Sequence, residues 1–194
     1  MQFDFTKTLG LITGGLVNHE STWKNYLEDC PGWQQTALVL TVPLFLFNVL
    51  LSLIFSRLTG GYAMYGYQSS WFLALIAGLV MGAVGFVIAV LVFNFLAGVF
   101  KGTSDFSRAF AAFSLAAIPA WVAGPLAGLI PYLGFWIAIA GGILSLVFVY
   151  RIMPLALNVP EEKRVLHFAV SLVTVFICNM AIAFIFGIGS AGNP

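Results

Sequence analysis

The residue types that perform catalysis or bind metals are few in this chain and widely separated. His19 and His167 each lack a second donor at the i+3 or i+4 position, which would place two ligands on one helical face. Cys30 and Cys178 belong to no CxxC or Cys/His cluster, so we expect two unpaired thiols. GxSxG, HExxH and phosphate-loop motifs are missing from the sequence. We therefore predict no catalytic residue, no cofactor and no metal ion.

Polar residues do occur inside the long apolar runs, but the centres of these runs contain no Asp, Glu, Lys, Arg or His. A charge at such a position costs about 2.5–3.5 kcal/mol on insertion scales, so ionisable groups there usually mark transport. Asn48, Asn94 and Asn179 are the strongest hydrogen-bonding groups present. We interpret each of them as a side chain that hydrogen-bonds to a neighbouring helix. The alternative is one polar pocket shared by all three.

The composition places the chain in a membrane. Hydrophobic residues make up 61% of the sequence and charged residues 8%, with a mean hydropathy of +1.02. So much apolar surface cannot be hidden inside 194 residues, whereas a bilayer solvates it directly. The apolar runs are continuous rather than alternating, which favours helices over a membrane β-barrel. The net charge of +1 and the absence of a basic stretch exclude nucleic acid as a partner.

Five apolar runs are long enough to cross a bilayer, which predicts an all-α polytopic membrane protein. The second run has roughly 30 residues against the ~20 needed, so it must tilt or project. A tight turn at Pro131-Tyr132-Leu133-Gly134 separates the third run from the fourth. The predicted spans are residues 36–55, 71–100, 109–130, 135–155 and 165–188.

The distribution of Lys and Arg predicts the orientation. Only Arg57 falls on one side of the predicted membrane, and loops rich in Lys and Arg stay in the cytoplasm. The N-terminus is therefore expected inside and the C-terminus outside, in a bacterial inner membrane. Aromatic residues gather at the predicted outer boundary, as amphipathic rings prefer. The cytoplasmic basic residues are Lys7, Lys24, Lys101, Arg108, Arg151, Lys163 and Arg164, and the outer aromatic residues are Tyr62, Tyr65, Tyr67, Trp71, Tyr132 and Trp136.

The chain divides into an interfacial segment (residues 1–35), the five-helix domain (36–188) and a short outer tail (189–194). Two short helices are predicted in the first segment, which has no signal-peptide pattern. One carries Phe5, Leu9, Ile12 and Leu16 on one face; the other begins at Asn18 or Ser21, carries Trp23, Tyr26 and Leu27, and ends before Pro31-Gly32. We expect these apolar faces to dock on lipid rather than on a partner.

Small residues at intervals of four predict where helices approach closely. The third span carries Ala112, Ala116, Ala120, Gly124 and Gly128, and the second offers Ala74, Gly78 and Gly82. We predict that these two spans pack together within one chain, with the third span as the centre of packing. A homodimer face is the alternative. Pro119 and Pro125 each remove a backbone hydrogen bond, which predicts kinks or, alternatively, a hinge or opening.

Two short charged loops complete the cytoplasmic side. The first carries Lys101, Gly102, Asp105 and Arg108; the second carries Glu161, Lys163 and Arg164. The pair Glu161-Glu162 follows Pro160, which is typical of an ordinary helix N-terminus rather than an acid–base pair. These loops are either solvated connectors or a surface for a protein partner or lipid headgroups.

The loops also carry a family resemblance. The run from Phe100 to Phe110 (FKGTSDFSRAF), followed by Ile118-Pro119, resembles the Yip family of Ypt/Rab-interacting membrane proteins. Thr22-Trp23-Lys24 and the run from Leu157 to Lys163 (LNVPEEK) are similar to further landmarks of that family, so the resemblance covers most of the chain, from about residue 10 to 187. It implies a five-helix membrane domain with a cytoplasmic N-terminus. In eukaryotic relatives it implies binding of Rab-type GTPases and a part in vesicle traffic or membrane shaping, whereas the short form here is of bacterial type.

Two functions are compatible with these observations. The first is a non-enzymatic membrane scaffold or adaptor that works through its cytoplasmic loops and N-terminal helices. The alternative is a small transporter, channel or lipid-translocating protein that uses the proline-broken third span.

Overall fold

A computed structural model describes residues 4–29, 31–59 and 71–185 of the chain. These residues form helices and no strand. The predictions for Cys30, Tyr62, Tyr65, Tyr67 and the 189–194 tail lie outside the described residues. The helices are α1 (Phe5–Val17), α2 (His19–Glu28), α3 (Trp33–Leu58), α4 (Trp71–Val99), α5 (Phe106–Leu129), α6 (Pro131–Leu157) and α7 (Glu161–Ile185).

Helices α3 to α7 are each long and apolar enough to span a membrane, which confirms the predicted fold class. The turn expected at Pro131-Tyr132-Leu133-Gly134 is wrong, because Pro131 already begins α6 and only Ile130 separates the two helices. Proline suits the first helical position, where its missing N–H would have no intrahelical partner, and here that preference prevails over turn formation.

Helix α5 occupies the centre of the bundle. In α5, 72% of an 18-residue apolar stretch is buried inside the protein, whereas the corresponding share in the other four spanning helices is 6% to 28%. The helix is broken at Ala117 into α5a (Phe106–Ala116) and α5b (Ile118–Leu129), two residues before Pro119. It continues without a break through Pro125.

The small residues of α4 and α5 have different partners from those we predicted. A side chain on Gly124 or Gly128 would meet Ser52 or its carbonyl on α3, and one on Gly82 would meet Phe45, also on α3. Helices α4 and α5 do touch, but through aromatic rings, such as those of Phe86 and Phe110 at 5.4 Å. The two spans are therefore neighbours as predicted, but Gly82, Gly124 and Gly128 approach α3 rather than each other.

The two N-terminal helices pack on the bundle. In α2 the side chains of Trp23, Tyr26 and Leu27 are buried against protein, so the expectation that this face docks on lipid is wrong. A lipid-facing surface and a protein-facing surface are equally apolar, which explains the error. Helix α1 turns its buried side, Thr8, Leu11 and Gly15, toward the bundle, whereas Phe5, Leu9 and Leu16 are exposed as expected.

Candidate interaction face at the charged end of the bundle

The charged residues are concentrated at one end of the bundle, which we call the charged end. It comprises α1, α2, the two connections between α4 and α5 and between α6 and α7, and the one or two helical turns of α5, α6 and α7 next to these connections. Seven of the eight basic residues and all seven acidic residues lie here, so their formal charges cancel. The acidic residues are Asp4, Glu20, Glu28, Asp29, Asp105, Glu161 and Glu162.

The two connections are bonded to each other. The Thr103 N–H donates to the carbonyl oxygen of Leu157 at 2.7 Å, which satisfies a backbone acceptor at the end of α6. A Cβ on Gly102 would lie 2.6 Å from the same carbonyl oxygen, so the close approach requires glycine. Lys101 and Asn158 both adopt positive φ, 68° and 49°, and these conformations turn the chain tightly out of each helix.

The residues predicted as a partner surface divide into two groups. Asp105 accepts a hydrogen bond from the Arg108 N–H at 3.1 Å and caps α5, and the Arg108 guanidinium donates to the Leu155 carbonyl at 3.5 Å. These two residues hold the fold of the loop. Lys101 and Glu161 are exposed, while Gly102, Lys163 and Arg164 are partly covered, with Arg164 3.9 Å from Glu161.

Five buried hydroxyl groups lie at or next to a π-helical segment of α3, Ala37–Thr41, where they connect α1, α2 and α5 to α3. Thr8 donates to the Val39 carbonyl at 2.5 Å, Tyr26 donates to Thr36 at 3.2 Å, and the hydroxyls of Thr41 and Ser114 are 2.7 Å apart. Burial raises the pKa of Tyr26 above its usual value, although its hydrogen bond to Thr36 acts in the opposite direction. The phenol is therefore neutral and available as the donor.

Helix α2 is also held by a cluster around Arg151 of α6. The Arg151 guanidinium donates to His19 Nε2 at 3.0 Å and pairs with the Glu20 carboxylate. Because arginine has no acceptor, His19 must accept at Nε2 and carry its proton on Nδ1. The ring of His19 stacks on the ring of Phe148 with 5.1 Å between centroids. The indole of Trp23 packs edge-on against the Phe148 ring at 4.9 Å.

Hydrogen bonds from neighbouring helices satisfy the backbone of the broken helix α5. Pro125 has no N–H to offer the Trp121 carbonyl, and Asn48 of α3 donates to that oxygen at 2.8 Å. The Ala120 N–H, close to the break, donates to Ser145 of α6 at 3.0 Å, and Thr59 donates to the Gly128 carbonyl at 3.0 Å.

Asn48 and Asn179 occupy separate environments rather than one pocket. Asn179 donates to the Val175 carbonyl of its own helix at 2.8 Å and lies against Gly85 of α4. Asn48 donates to the Trp121 carbonyl of α5 instead. A groove of about 200 Å³ exists elsewhere, between α3 and α4, and is lined by Val49, Ser52, Leu53, Ser56, Ala74 and Gly78. Sequence reasoning placed His167 at the edge of its span, but it is buried and its Nε2 bonds to the Phe93 carbonyl at 3.1 Å.

Metal-binding geometry does not occur in the part of the chain that the structure describes: no three His, Cys, Asp or Glu residues lie together there. Cys178 is a free thiol. Five spanning helices, four of them packed around the buried central helix α5, with the charges at one end, define an integral membrane protein. The Yip1 domain matches residues 14–183, and the chain belongs to this family. Neither the curated proteins nor the solved structures contain a match.

Proposed function

We propose that this protein is a non-enzymatic membrane scaffold or adaptor whose charged end binds a partner protein. The observation that carries the proposal is the construction of this end as one connected surface. The Thr103–Leu157 bond joins the two loops, and the Arg151 cluster fastens α2 to α6. Family membership adds support, since the Yip family implies protein interactions and is not known as enzymatic.

The balance of charge indicates the kind of partner. Because acidic and basic groups cancel at this end, its long-range field favours neither a nucleic acid nor an anionic membrane surface. A protein with a matching pattern of both signs would be recognised through local complementarity, which supplies specificity more than affinity.

A capture experiment tests the proposal. Exposed charge pairs contribute roughly 0.2–1 kcal/mol each, so we expect the triple variant Lys101→Asn, Glu161→Gln and Glu162→Gln to reduce recovery of a specific partner about tenfold. Asparagine tolerates the positive φ at position 101. The measurement is quantitative mass spectrometry after affinity purification in mild detergent.

The matched control for this capture is Arg57→Gln, which removes a charge at the opposite end of α3 and should leave recovery unchanged. Equal recovery with the triple variant and the control, or no partner recovered above background, would contradict the scaffold proposal.

The orientation belongs to the same proposal: the charged end faces the cytoplasm of a bacterial cell and the C-terminus lies outside. We expect alkaline phosphatase fused after Pro194 to be active and green fluorescent protein at the same position to be dark. Reporters fused after Ser104 should give the opposite result. Fluorescence from the C-terminal fusion would overturn this orientation.

Transport through the broken third span has less support. The polar groups that Pro125 and the break at Ala117 release are bonded by Asn48 and Ser145, and both prolines are buried among neighbouring helices. Groups paired in this way strengthen helix packing rather than line a water-filled path.

A further inference from the structure

The position of Arg151 is unusual for an arginine in an apolar helix. It lies six residues before the end of α6, about 9 Å along the axis at 1.5 Å per residue. Its side chain is 46% exposed, and that of its partner Glu20 is 68% exposed. The pair therefore presents one positive and one negative group to the surroundings of the bundle.

An apolar strip continues from Arg151 toward the middle of α6. Val147 and Leu144 lie at i−4 and i−7 from Arg151, hence on the same face of the helix, and they are 44% and 43% exposed. Val17, two residues before His19, is 77% exposed. A charged pair next to an apolar strip matches the arrangement of a phospholipid, in which the polar headgroup is attached to apolar acyl chains.

We infer that Arg151 and Glu20 bind one glycerophospholipid with a zwitterionic, amine-bearing headgroup. The guanidinium binds the phosphate, for which its planar donors are suited, and the Glu20 carboxylate accepts from the ammonium group. The acyl chains lie along Val147 and Leu144.

Charge complementarity selects this headgroup over an anionic one. The Arg151–Glu20 pair carries no net charge, and the other charges of this end also cancel. An anionic headgroup would gain the arginine but meet the exposed Glu20 without an ammonium group to neutralise it. A phosphoethanolamine group brings both signs on neighbouring atoms and can satisfy both side chains. The two proposals are tested separately, because neither Arg151 nor Glu20 is among the residues varied in the capture experiment.

Native mass spectrometry of the purified full chain, titrated with phosphatidylethanolamine or phosphatidylglycerol, tests the site. The wild type should bind phosphatidylethanolamine more tightly. Arg151→Gln should weaken that binding about tenfold, because the phosphate loses its charge-assisted hydrogen bonds to the guanidinium. Glu20→Gln should retain the phosphate contact but lose the preference for phosphatidylethanolamine over phosphatidylglycerol.

The matched controls are Lys24→Gln and Glu28→Gln, which break an exposed ion pair further along the same helix and should bind like the wild type. Thermal unfolding in lipid-free detergent checks that each variant folds. If Arg151→Gln does not fold, the lipid preference of Glu20→Gln decides the question, since that variant keeps the arginine. Equal affinity of the wild type for both lipids, or variants indistinguishable from the controls, overturns the inference.

Discussion

Replacing Asn48 by Leu is expected to destabilise the bundle by about 1–2 kcal/mol, and adding Pro125→Ala should restore most of that loss. Leucine is close in shape to asparagine but cannot donate, so the Trp121 carbonyl would remain unpaired inside the membrane. Alanine at position 125 supplies the missing N–H from within α5 and makes the Asn48 side chain dispensable. The measurement is a double-mutant cycle from reversible unfolding in detergent micelles.

The control for this cycle is Asn179→Leu, because Asn179 donates to a carbonyl of its own helix that already receives the regular helical hydrogen bond. A smaller loss is expected there, and Pro125→Ala should not change it. If the effects of Asn48→Leu and Pro125→Ala are additive, the hydrogen bond from Asn48 does not compensate for the proline.

The five spanning helices could be predicted because hydropathy depends on each residue's own partition between water and lipid. No knowledge of neighbouring helices is needed for that step. The helix ends were predicted less accurately. Pro131 favours both a turn and a helix start, and which of the two forms depends on how α5 and α6 meet. Gly134 shows that dependence, since a Cβ there would contact the backbone of Ala127 on α5.

Helix partners could not be predicted from spacing. A stripe of glycine and alanine shows that another helix can approach closely, but it does not identify that helix. Gly78 and Gly124 both approach α3, at Val49 and Asn48 respectively, although the sequence pattern suggested that their own helices pair there.

The buried hydroxyl cluster was missed for a related reason. Thr8, Tyr26, Thr36, Thr41 and Ser114 come from four helices, and threonine is unremarkable in an apolar run. The five-residue interval between Thr36 and Thr41 equals the hydrogen-bond interval of a π-helix and is the only local signal among these five residues. Asn48 and Pro125 stand out in the sequence as a polar and a helix-breaking residue, but only the three-dimensional structure shows that they act together.

Gly141→Leu is expected to have a larger effect on folding than the other single substitutions proposed above, about 3 kcal/mol. Helices α5 and α6 cross at Gly141, where even a Cβ would collide with that of Ala123 and lie 3.1 Å from the Pro119 carbonyl. The obstacle includes backbone at the break in α5, which cannot move without separating Ser145 from the Ala120 N–H. Unfolding in micelles and the yield of folded protein measure the loss.

The neighbouring glycine provides a matched control. A Cβ on Gly142 would meet nothing within 4 Å, so Gly142→Leu keeps the same chemistry on the same helical turn without a collision. Its stability should be unchanged or raised by up to about 1 kcal/mol, because leucine has a higher helix propensity than glycine. Similar stability for the two variants would show that the crossing of α5 and α6 can open to accept a side chain. A large difference in stability would instead show that α6 packs tightly against the central helix at Gly141 and not at Gly142. The sequence alone does not distinguish these two adjacent glycines.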